Sequence, residues 1–207
     1  MNTSISRSIR TVGASKRMAT VWVPAVLFFA AMTAGCSRPA VRVHIHPDAD
    51  LSFYTKVGVI PFATLSRDRF AGEKFGIEFT TALLALGEFD VVDYGVFINQ
   101  LVKTLGTRSP GDGLSVEQLQ KIAEATGVQG VFYGTVMQYE MVSSGGNSFP
   151  VISVEGRLLD TETGTVVWMA TITERGGPKT PIIGVGEIHT LGALSQKITK
   201  RMVSKLE

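Results

Sequence analysis

Residues 151–175 read VISVEGRLLDTETGTVVWMATITER. Two runs rich in β-branched and apolar residues flank Thr161-Glu162-Thr163-Gly164, a short polar stretch ending in glycine. That arrangement predicts a β-hairpin. Alternate side chains of a strand point to opposite faces, so Ile152, Val154, Gly156 and Leu158 share one face of the first strand. In the second strand, Val166, Trp168, Ala170 and Ile172 oppose Val167, Met169, Thr171 and Thr173. So short a connection allows only antiparallel pairing.

Working outward, GVFYGTVMQYEMV (130–142) predicts a long strand before the hairpin, linked to it by SSGGNSFP (143–150). After the hairpin comes the Gly/Pro-rich loop GGPKTPIIGVGE (176–187). A last helix is expected from about Thr190 to Leu206, with Leu191, Leu194, Ile198, Met202 and Leu206 along one side. Upstream, KVGVIPF (56–62) reads as a buried strand stopped by Pro61 and FDVVDY (89–94) as a second strand. Between them Phe75, Phe79, Leu83 and Leu86 recur at helical spacing, and Gly87 is placed to end that helix. Phe97, Leu101 and Leu105 mark a helix over 95–106. After the loop TRSPGDG (107–113), Ser115 stands three residues before Gln118, a capping box that opens a helix closed by Gly127.

The order β-α-β-α-α-β-β-β-α implies an α+β fold, a mixed but mostly antiparallel sheet with helices packed on it. There is no internal repeat and no low-complexity segment.

The beginning of the chain has a different character. Arg7, Arg10, Lys16 and Arg17 are the only charges before Cys36, and Met18–Thr33 carries none. A basic start, a short apolar run and the small exit residues Ala34 and Gly35 read as a secretory signal peptide. The run is shorter than the roughly 20 residues of a membrane-crossing helix and contains Pro24. Cys36 is the single cysteine, so no disulfide framework is available.

Composition narrows the function classes. The chain has 20 basic and 18 acidic residues, and without the four leader cations the balance is 16 against 18, a net charge of −2. No basic stripe with interleaved aromatics exists, which argues against nucleic-acid binding. The 172 residues from Cys36 onward suffice for one domain with a sizeable core.

TAGC (33–36) resembles the lipobox of bacterial lipoproteins, with Thr33 where leucine is commonest. The resemblance implies cleavage after Gly35 and attachment of acyl chains, palmitate among them, to Cys36. Ser37 in second place, where an inner-membrane retention signal has Asp, implies export to the periplasmic face of the outer membrane. Two or three acyl chains, at about 0.8 kcal/mol per buried CH₂, hold a protein on a membrane durably.

The motifs GEFDVVDY, GVQGVFYGTV and LLDTETGTVVW, in this element order, resemble CsgG-like periplasmic lipoprotein domains, including the Lpo-type and PelC-type proteins. The resemblance spans roughly residues 54–206. It implies a non-enzymatic scaffold or accessory partner in secretion, polysaccharide export or cell-wall synthesis, with envelope protein partners, no cofactor and a homo-oligomeric ring. The expected organisation is a signal peptide (1–35), a lipidated tether with a short edge strand (36–53) and one domain (54–207). Neither 143–150 nor 176–189 can supply a hairpin that crosses lipid, since each strand would need about 9–11 residues.

Chemical constellations are sparse. His44 and His46 fall on one side of a strand and with Asp48 or Asp50 could hold Zn²⁺ or Cu²⁺, the alternative reading of a metal-binding protein or enzyme. His189 beside a helix start reads as a cap or surface group. Glu78, Glu88 and Asp90 do not converge, and no nucleophile elbow or phosphate loop is present. The candidate partner contacts are therefore apolar residues expected in loops, Phe149, Ile182, Ile183 and Val185.

Overall fold

The computed structural model describes residues 41–108, 113–144, 146–177 and 187–206. In chain order they form β1 (Arg42–Ile45), a 3₁₀ turn (Leu51–Phe53), β2 (Lys56–Val59), β3 (Ala63–Thr64), α1 (Ala71–Leu86) and β4 (Asp90–Val91). There follow α2 (Tyr94–Leu105), α3 (Val116–Thr126), β5 (Gly130–Ser144), β6 (Asn147–Asp160), β7 (Val166–Arg175) and α4 (Leu191–Val203). The strands make one sheet in the order β1-β7-β6-β5-β2-β4, with β3 also on β5. Pairing is antiparallel from β1 through β5 and parallel among β5, β2, β3 and β4. The fold is α+β, as the pattern predicts, and the predicted hairpin is β6–β7, with Leu158 opposite Trp168 and Val154 opposite Ile172.

Local signals act where the sequence places them. Ser115 and Gln118 exchange hydrogen bonds with each other's backbone at the start of α3, satisfying two orphan N–H groups. Gly87, Gly106 and Gly127 close α1, α2 and α3 in the left-handed conformation, at φ of 71–79°. Gly87 N–H reaches the Leu83 carbonyl at 3.3 Å.

Helices cover both faces of the sheet. Against one face, α1 and α4 bury Phe75, Phe79, Leu83, Leu194, Ile198 and Met202 on Phe132, Ile152, Val154, Trp168 and Ile172. Aromatic rings meet edge-on there, Phe79 with Phe132 at 5.2 Å and Phe132 with Trp168 at 6.1 Å between centroids. The Trp168 indole donates to the Lys205 carbonyl at 3.0 Å, so its one polar atom is satisfied inside the core. On the other face, α2 and α3 bury Phe97, Leu101, Leu119 and Ile122 with Val131, Tyr133 and Leu159.

Several details differ from the sequence expectation. The strand expected over 89–94 is only Asp90–Val91, because the Asp93 carboxylate accepts from Val96 N–H at 3.0 Å and starts α2 at once. Strand β2 ends at Val59, before Pro61. The two-residue β3, whose sequence carries no strand pattern, is held by Leu65 N–H donating to the Val136 carbonyl at 2.9 Å. Residues 143–150, expected as a connection, are mostly strand, since β5 and β6 stay paired out to Ser144 and Asn147. Only four residues of each arm of that hairpin, 141–144 and 147–150, extend past the β6–β7 pairing, short of the 9–11 residues of a membrane-crossing strand. No helix among the described residues is long and apolar enough to cross a membrane.

Candidate functional site

The strand expected in the tether is an integral outer strand of the sheet. In β1, Arg42 to Ile45 pair with Thr171 to Trp168 of β7, and all four residues are exposed. His44 is exposed, whereas His46 lies beyond the strand end and is half-buried. The His46 ring turns along its own chain, its Nδ1 accepting from Asp48 N–H at 3.3 Å. His46, Asp48 and Asp50 border a cleft of about 400 Å³ that reaches Tyr54 and Asp160. Asp160 does not offer a spare ligand atom there. Its Oδ2 accepts from the Tyr54 hydroxyl at 3.0 Å, and its Oδ1 accepts from Glu162 N–H, Thr163 N–H and the Thr163 hydroxyl at 2.7–3.0 Å. Burial works to raise its pKa, but the hydrogen bonds from Thr163, Tyr54 and Glu162 outweigh it and hold the carboxyl below its ordinary value. Among the described residues no three His, Cys, Asp or Glu side chains gather as a metal-binding group. The cleft wall is thus a structural knot at the β6–β7 turn.

At the opposite end of β6, the structure puts Phe149 in a strand and leaves it half-buried, not on a free loop. The Arg175 guanidinium sits 4.6 Å from its ring centroid. Gly177 packs on the same ring so closely that an added Cβ would come 2.6 Å from Phe149 Cδ1. Gly176 N–H donates to the Pro150 carbonyl at 2.7 Å, and Gly177 N–H to the Ile188 carbonyl at 2.9 Å. Phe149 therefore lies against Gly177, two positions the sequence keeps far apart. Ile182, Ile183 and Val185 lie outside the described residues, as do Gly35 and Cys36. His189 pairs with Glu187 at 2.8 Å, and the cap of α4 is Thr190, which accepts from Ala193 N–H at 3.2 Å.

Two polar features escape sequence reading. Glu174, on the helix-covered face of β7 and only 4% exposed, accepts from both Lys197 and Arg201 of α4. Alternation with Trp168, Ala170 and Ile172 was the available signal, since it carries position 174 to the inner face. Burial, and then the neighbouring Arg201 charge, lower the Lys197 pKa. The second feature is a groove of about 550 Å³ between α1 and α2, bordered by Ile77, Tyr94, Asn99 and Val102 and rimmed by the Glu73–Arg108 pair at 3.5 Å. The Tyr94 hydroxyl is buried beside it with no hydrogen-bond partner, and burial, followed by the Glu73 charge, pushes its pKa up to about 12. Among the described residues, none of these groups pairs a nucleophile with a base.

No family model matches the sequence, and no curated protein matches it. Solved structures do. The chain is similar to the PelC dodecamer from Paraburkholderia phytofirmans, at 21% identity over 82% of this chain and 97% of that one, with a TM-score of 0.57. It is similar to lipoprotein GNA1162 from Neisseria meningitidis, at 21% identity over 72% of this chain and 99% of that one, with a TM-score of 0.53. The C-terminal domain of LpoB from Salmonella enterica, at 19% identity, 58% and 82% coverage and a TM-score of 0.42, is too distant to weigh. The α+β domain described above therefore has the fold of PelC and of lipoprotein GNA1162.

Proposed function

We propose that this chain is a lipid-anchored, non-enzymatic accessory protein of the bacterial envelope, of the CsgG-like, PelC-type kind. Cys36 carries the acyl chains after cleavage following Gly35, and the domain stands on the periplasmic face of the outer membrane. There it binds envelope protein partners in secretion, polysaccharide export or cell-wall synthesis, and assembles with copies of itself. The observation that carries the reading is the shared fold, over 82% of the chain, with a protein crystallised as a dodecamer, together with the Ala34-Gly35-Cys36 motif after an apolar run. The fold it shares with a lipoprotein over 72% of the chain supports the anchor. Phe149, Ile182, Ile183 and Val185 are the proposed partner contacts.

The test is mass spectrometry of the protein extracted from bacterial membranes. The expected result is a chain beginning at an acylated Cys36, with Cys36→Ser moving the protein to the soluble fraction. An uncleaved start, or an unmodified thiol on membrane-bound protein, refutes the anchor.

A further inference from the structure

We propose that copies of this chain join by sheet extension, β1 of one copy adding antiparallel to the distal edge of β5 in the next. The proposal rests on the self-assembly reading above and names the surface that would produce it.

Each half of the contact is an open strand edge. His46 N–H donates to the Val167 carbonyl at 2.9 Å, so alternation turns the N–H and C=O groups of Val43 and Ile45 away from β7. No described residue pairs with that side of β1. Strand β5 is flanked by β2 at 130–132 and by β3 at 135–136, and then a bulge between Val136 and Gln138 resets its alternation. Counting back from the Ser144–Asn147 pair that closes the hairpin, Val142, Glu140 and Gln138 bond to β6. The backbone N–H and C=O groups of Tyr139, Met141 and Ser143 are left directed away from β6, and no described strand meets them. The four residues of β1 match this open length.

Side chains on the two edges are complementary. Val43 and Ile45 lie opposite Ala170 and Trp168, hence on the helix-covered face, yet are 39% and 43% exposed because no helix reaches the edge. Tyr139, paired with Ile152 and itself 7% exposed in the core, lies on the same face of β5 and offers only the rim of its ring, and Met141 follows it, 44% exposed. The opposite face carries Arg42 and His44 on β1 and Gln138 and Glu140 on β5. Placing Val43 against Met141 and Ile45 against Tyr139 joins apolar to apolar, sets His44 against Glu140, and puts Arg42 on its diagonal. In both copies α1 and α4 then stand on one side of a continuous sheet.

Symmetric alternatives are worse. Antiparallel β1–β1 pairing with Val43 opposite Ile45 sets His44 on His44 and Arg42 on His46, and β5–β5 pairing sets Glu140 on Glu140. Like charges directly opposite destabilise a strand pair. A β1–β5 contact uses two different surfaces, so it repeats head to tail and closes into a ring if the rotation allows.

The experiment uses the full-length chain in mild detergent, with association followed by light scattering across a concentration series. The variants are Arg42→Glu, Glu140→Arg, the double reversal, and Ile45→Lys for the apolar row. Each single change is expected to weaken association about tenfold or more, and the double reversal to recover most of the loss. All three positions are exposed or half-buried, and unchanged thermal midpoints would verify the fold. Assembly that survives every single change overturns this surface and leaves the accessory reading standing. A double reversal no better than the singles overturns the β1–β5 pairing. A wild-type chain that stays monomeric at high concentration overturns both the pairing and self-assembly.

Discussion

Replacing Glu174 by alanine removes the carboxylate that ties β7 to α4. Its side chain is 3% exposed and accepts charge-assisted hydrogen bonds from Lys197 and Arg201, which sit one turn apart on the helix. Such bonds contribute about 1.5–3 kcal/mol each when both partners are buried. Here the two cations keep 31% and 33% of their side-chain surface in water, so both heads can turn to solvent once the carboxylate is gone. Screening of that kind lowers the expected loss to about 2–3 kcal/mol, below the 3–5 kcal/mol typical of breaking a fully buried pair. In a domain of this size the loss corresponds to roughly 5–10 °C in the thermal midpoint. Urea denaturation followed by circular dichroism measures it directly, and an unchanged denaturant slope would show that the native fold is kept. A combined Glu174→Leu, Lys197→Leu, Arg201→Leu chain is expected to regain much of the loss, because apolar residues of similar volume replace buried ion clusters at little cost. A Glu174→Ala change within about 0.5 kcal/mol of wild type would refute the reasoning.

Gly134→Ala places a Cβ 2.2 Å from the Glu155 carbonyl oxygen and 2.4 Å from the Phe62 ring, so a loss of about 1–3 kcal/mol is expected from overpacking, read from the urea midpoint. Phe79→Ala empties a fully buried position between Phe62, Phe75 and Phe132 and is expected to cost about 3–5 kcal/mol in the same assay. Because hydrogen bonding holds the Asp160 carboxyl below its ordinary 3.8, it binds a proton less readily folded than unfolded. Its contribution is present above that value and is lost as pH falls through the depressed one, so unfolding stability measured from pH 6 to 2 should decline less steeply at its acid end in Asp160→Asn. Ser115→Ala removes one side of the α3 capping box and is expected to cost about 1 kcal/mol, checked by thermal denaturation.

Helix ends, the faces of β6 and the final hairpin were legible in the chain because their causes lie within a few residues of one another, whereas a bulge beside Leu159 moves Val166 off the face of Trp168. Gly87 and Gly127 adopt a backbone that other residues resist, Ser115 and Gln118 reach each other across one turn, and Ile152 to Leu158 alternate as a half-buried strand must. What tertiary structure alone decided was which distant segments meet. Nothing near Arg42 encodes its pairing with Thr171, and nothing near Phe149 encodes Gly177. Glu174 reads as the polar end of a strand until α4 brings two cations over it, and the Tyr94 hydroxyl loses its water only when α1 and α2 close around it. Strand order and burial depend on contacts between residues far apart in sequence, whose energy exists only once the sheet has formed, and no local pattern records it.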